Sequence, residues 1–65
     1  MYILTDEPAS GEQLEAFKAL DDAFGTGEFS RGQAITVLVN TFEDASKADS
    51  LFQNLERGAY ITEVE

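Results

Sequence analysis

The sequence predicts an α+β domain, three helices and a short antiparallel sheet in the order β-α-α-α-β, on three observations. Helix-start chemistry precedes three apolar runs whose large residues recur every three or four positions. A glycine follows the first and third of those runs. Short stretches rich in aromatic and branched residues lie at the two ends of the chain, Tyr2 to Thr5 and Tyr60 to Val64.

The first stretch, Tyr-Ile-Leu-Thr, reads as a strand that the polar, proline-containing segment DEPAS interrupts. Ser10 stands three residues before Gln13, the spacing at which a serine hydroxyl accepts from the third helical amide and the glutamine reaches back. Leu14, Phe17, Leu20 and Phe24 then fall on one helical face, with Glu12, Glu15, Asp21 and Asp22 mainly elsewhere. Gly25 and Gly27 stop that helix, since glycine takes the left-handed conformation of a helix end at little steric cost.

Glu28 and Phe29 form a minimal extended segment, and Ser30 with Gln33 repeats the capping spacing. A second helix carrying Ala34, Ile35, Leu38, Val39 and Phe42 inward fits both the cap and the spacing. Residues 34-39, AITVLV, also suit a buried strand, because the run is compact and rich in branched side chains. Asp44 is the N-cap of a third helix whose inner face is Ala48, Leu51, Phe52 and Leu55, the clearest helical pattern in the chain. Gly58 ends it, and Tyr60, Ile61, Thr62 and Val64 make the closing strand. The two strands pair with each other in the simplest sheet, which leaves open edges that a third segment at Phe29 or a second subunit would relieve.

With 65 residues the chain is a single domain, burying only about 60% of the surface its unfolded form exposes. It contains neither Cys nor His, so neither a disulfide nor a conventional zinc site stabilises it, and no cofactor or metal is expected. Thirteen acids against four bases give a net charge of −9, yet 43% of residues are hydrophobic, too many for a disordered acidic tail. A folded domain with an acidic surface repels itself at low salt and is screened within about 3 Å at 1 M salt. The chain resembles the small acidic proteins of halophilic archaea, which implies a salt-rich environment and no particular activity. MYILT is too short for a signal peptide, and no apolar run reaches membrane-spanning length, so a cytoplasmic location and no membrane partner are expected.

From Phe29 onward the order FSRGQAITVLVNTF, DASKADSLFQNLERG, AYITEVE resembles the winged-helix-turn-helix superfamily over more than half the chain. The landmarks are Phe29, Ser30, Leu38, Leu51, Leu55, Gly58, Tyr60 and Ile61. Only the first wing strand follows the last helix, so the N-terminal strand would have to replace the second. The resemblance implies that the third helix is a recognition helix exposing Glu43, Ser46, Lys47, Asp49, Ser50, Gln53, Asn54, Glu56 and Arg57. Gln53 and Asn54 would then read adenine, and Lys47 or Arg57 would meet phosphate or guanine. Charge opposes this, since four bases cannot supply the roughly six to ten phosphate contacts of an ordinary site.

Other chemistry is weaker. Without His or Cys the pairs Asp6/Glu7 and Asp21/Asp22 stand in no catalytic context, and the chain is read as non-enzymatic. DDAFGTGEF lacks both the calcium-loop order and the Gly-Lys-Ser/Thr of a phosphate loop. Association with protein is favoured instead, as a homodimer or with a small partner. The interface candidates are Tyr2, Leu4, Tyr60, Ile61 and Val64, strand residues beside open edges. A DNA-bound dimer, or a complex with a basic partner, is the alternative.

Overall fold

The computed structural model describes residues 1–64. Strand β1 (Tyr2–Leu4) is followed by helices α1 (Gly11–Phe24), α2 (Arg31–Phe42) and α3 (Ala45–Arg57), and strand β2 (Ile61–Glu63) closes the chain. Residues 34-39 are helical. Their branched side chains allow a strand, but the cap ahead of them sets the backbone: Gln33 donates its amide to Ser30 Oγ at 3.1 Å, and Ser30 donates its own to Gln33 Oε1 at 2.9 Å.

Asp44 caps α3 by accepting the Lys47 amide at 3.1 Å. The expected inner face of α3, Ala48, Leu51, Phe52 and Leu55, is buried throughout and packs on both other helices. Between α2 and α3 only Glu43 and Asp44 intervene, and the reversal is made by Glu43 in the left-handed conformation, φ +57.

Helix α1 starts where expected, with Ser10 as its N-cap, but Ser10 makes no capping bond, because Gly11 immediately after it stands at φ +80 and turns the backbone away from the helical path that would bring the hydroxyl over Gln13. The helix stops at Gly25, which returns its amide to Asp21 O at 2.8 Å; its φ of +58 favours glycine, but its ψ of −128 lies outside the left-handed helical conformation expected there. After α3 the left-handed residue is Ala59, φ +62, and not Gly58. Gly58 serves a different need, since a Cβ there would lie 2.6 Å from the Tyr60 ring.

β1 and β2 pair antiparallel with Tyr2 opposite Glu63, Ile3 opposite Thr62 and Leu4 opposite Ile61. Phe29 supplies the third segment as a single bridge on the other side of β1. An aromatic row ties this sheet to the helices: Phe24 stacks on Phe29 at 4.8 Å, and Tyr2 meets Phe29 at 6.3 Å and the edge of Phe52 at 5.1 Å. Such contacts give a small core specific geometry as well as buried area.

Candidate association surface

Strand alternation sorts the sheet into two faces. Tyr2, Leu4 and Ile61 point toward the helices, with Tyr2 and Ile61 buried and Leu4 packed on the core. Ile3 and Thr62 oppose each other on the outer face. Continuing the alternation adds Met1, Thr5 and Val64, with the Thr5 and Thr62 hydroxyls 3.1 Å apart. Met1 is 50% exposed, and Ile3 and Val64 are half-buried, so this small face is apolar at its Met1 and Val64 end and hydroxylated toward Thr5.

The expected interface residues are therefore redistributed. Tyr2 and Ile61 belong to the core, Ile61 at 1% exposure, and offer no apolar side chain to a partner. Leu4 and Tyr60 lean on that core, the Tyr60 ring lying back over Gly58. Of the five, Val64 is the one on the outer face without core packing. Met1 and Ile3 were missed, although the signal was available: once Tyr2 points inward, period-two alternation turns Met1 and Ile3 outward.

Backbone hydrogen bonds locate the open edge. Tyr2 exchanges both its bonds with Phe29, so it faces away from β2, while Thr5 donates to Tyr60 O at 2.9 Å and Val64 donates to Met1 O at 2.8 Å. Residues 60, 62 and 64 thus turn toward β1, and Ile61 and Glu63 turn their N–H and C=O away from it; Glu63 is exposed, whereas Ile61, 1% exposed, is covered within the chain. Among the described residues no strand or bridge lies beyond β2.

The four residues considered for DNA contact separate into two pairs. Lys47 is ion-paired with Glu12 across α3 and α1 and lies over the Phe42 ring at 5.5 Å. The hydrogen bond to Glu12 is the main reason its pKa is raised, reinforced by the charges of Glu12, Asp44 and Glu15 against a desolvation effect that lowers it. Gln53 donates to Asp49 at 3.0 Å. Asp49 also holds Arg31, whose guanidinium sits 5.6 Å above Phe52. Asn54 and Arg57 are exposed and make no side-chain bond among the described residues. With Ser46 and Ser50 they are exposed on α3, next to the exposed acid Glu56.

Tyr2 has the one polar atom aimed from the core to the surface. Its hydroxyl donates to Glu56 Oε2 at 3.2 Å, and burial, then the charges of Glu56 and Glu63, push its pKa up. A shallow depression between α1 and α2 is lined by Phe24, Ser30, Gly32, Gln33, Thr36 and Val37. Its polar groups are engaged internally, Ser30 with Gln33 and Thr36 with the Gly32 carbonyl, and it contains no titratable side chain. Among the described residues no cluster of carboxylates could hold a metal, and no helix is long and apolar enough to cross a membrane.

Comparison with protein-family models, curated proteins and solved structures finds no match to this chain.

Proposed function

We propose that this domain is a non-enzymatic protein-interaction module of a salt-rich cytoplasm and that it self-associates through the exposed side of its sheet. The observation that carries the reading is the outer face of the sheet: Met1, 50% exposed, lies there with the half-exposed Ile3 and Val64, beside the exposed Glu63, beyond which no strand pairs among the described residues. An open edge next to apolar side chains is a template for another strand, and a two-stranded sheet gains stability by extension. The acidic surface suits association only where salt screens the repulsion between chains of net charge −9.

Sedimentation in molar KCl across a concentration series tests this. Wild-type chain is expected to associate with rising concentration, and Val64→Lys to weaken that association without loss of helical signal. A sharp monomer at every concentration contradicts the reading.

The exposed Ser46, Ser50, Asn54 and Arg57 of α3 support a second reading, a winged-helix-like protein that meets DNA as a dimer or beside a basic partner. Ser46, Ser50, Asn54 and Arg57 are available there, but Lys47 and Gln53 already have acidic partners in the chain. Titration with DNA fragments over a range of salt decides it, and binding at no salt concentration removes it.

A further inference from the structure

We infer that the outer face of α2, with the depression between α1 and α2, docks a basic amphipathic helix of a partner protein. The apolar side of that helix lies along α2, and its lysines or arginines meet Asp21 and Glu28.

The distribution of charge marks the face. From Gly32 to Phe42 eleven consecutive residues carry no charge, in a chain where 26% of residues are charged. Gln33, Thr36, Asn40 and Thr41 are exposed there and Val37 is half-buried, along about 12 Å of helix. A patch that loses charge at its centre and keeps it at the rim has the composition of a protein-binding surface.

This face also loses water at little cost. The Thr36 hydroxyl donates to the Gly32 carbonyl and the Thr41 hydroxyl to the Val37 carbonyl, both at 2.9 Å, while Ser30 and Gln33 satisfy each other in the capping box. A partner that covers these groups strands none of those bonds. Where the face begins, the depression beside Phe24 and Val37 seats an apolar anchor, the means by which a helix is held in a groove.

Charge selects the occupant. Asp21 stands one turn before Phe24 and Glu28 two residues before Ser30; both are exposed, and neither is ion-paired among the described residues. Of the bases near them in sequence, Arg31 is held by Asp49, and Lys18 bridges to neither acid. A second copy, with net charge −9 and the same two acids, meets like charge here, whereas a basic helix meets complementary charge. In molar salt, screening within about 3 Å leaves attraction only between groups in contact. The ion pairs then orient the partner, and the apolar side holds it.

The surface shares no residue with the outer face of the sheet, so the inference stands apart from self-association. Titration followed by nuclear magnetic resonance tests it with two synthetic probes, an amphipathic helix of leucine and lysine and its counterpart with glutamate in place of lysine. The lysine probe should shift the amides of Phe24 and α2, and the glutamate probe should shift neither. Asp21→Lys with Glu28→Lys should weaken the lysine probe about tenfold, and Asp21→Asn with Glu28→Gln should weaken it in the same direction. Asp6→Lys with Glu7→Lys, an equal change of net charge at exposed positions beside Tyr60, should leave it within about twofold. Among the described residues neither acid pair bonds another element through its side chains, so the variants should keep the wild-type helical signal. Equal weakening by the two lysine double variants, shifts centred outside α2, or no binding of the lysine probe overturns the inference.

Discussion

Tyr2 and Phe29 exchange a pair of backbone hydrogen bonds, 2.7 Å from the Tyr2 amide and 3.0 Å from the Phe29 amide, on the side of β1 opposite β2. One residue between two helices thereby covers part of an edge that would otherwise be open. The remaining edge is that of β2, where Glu63 is exposed and Ile61 is buried.

Phe29 is fully buried and stacked on Phe24, so its removal strikes sheet and core together. Phe29→Ala is expected to cost about 3–5 kcal/mol. A domain of this size has roughly 3–10 kcal/mol of stability in total, so the variant should be largely unfolded in dilute buffer. Urea denaturation followed by circular dichroism checks this, and Phe29→Leu should recover much of the loss.

Gly58 and Ala59 have opposite expected responses. Gly58→Ala drives a methyl into the Tyr60 ring and should destabilise by about 1–3 kcal/mol. Ala59→Gly relieves a left-handed alanine and should stabilise by up to about 1 kcal/mol after the entropy cost of glycine. Melting temperatures of the two variants should move in opposite directions.

Alkaline pH should weaken the fold through two groups. Tyr2 and Lys47 both hold their protons more tightly in the folded chain than in the unfolded one, Tyr2 by burial and the nearby carboxylates, Lys47 chiefly by its bond to Glu12. Stability from each is complete below the unfolded pKa, about 10 for both side chains, and is lost as pH rises through the elevated folded value. Tyr2→Phe should flatten this alkaline decline in melting temperature, and Lys47→Gln should remove a further part of it.

Salt should act in the other direction. Thirteen acids against four bases leave repulsion dominant, and two of the bases, Arg31 and Lys47, are already paired. Melting temperature is expected to climb steadily from low to molar KCl. A value independent of salt would count against the salt-rich environment proposed for the chain.

Much of this fold is legible in the sequence because local chemistry and apolar spacing agree. Ser30, Gln33 and Asp44 cap where their spacing says they should, and the inner face of α3 is the one its periodicity gives. Ser10 marks the N-cap of α1 as its spacing says, but the bond to Gln13 does not form, because no pattern of side chains reveals the positive φ of Gly11. The surface was less legible. Choosing Tyr2 and Leu4 over Met1 and Ile3 put the strand one residue out of phase, and a one-residue slip inverts every side chain. The i,i+4 spacing of Asp49 and Gln53 is legible within α3, but no spacing shows that Lys47 reaches Glu12 or Arg31 reaches Asp49, since those contacts join separate helices.

Amide hydrogen exchange at Glu63, measured over increasing chain concentration in molar KCl, tests the central claim most directly. This outward, exposed amide should exchange rapidly in dilute chain and become protected as concentration rises, while Val64, bonded to Met1 within the chain, is already slowed when dilute. Rapid exchange at Glu63 over the whole concentration range, with Val64 protected throughout, would contradict it.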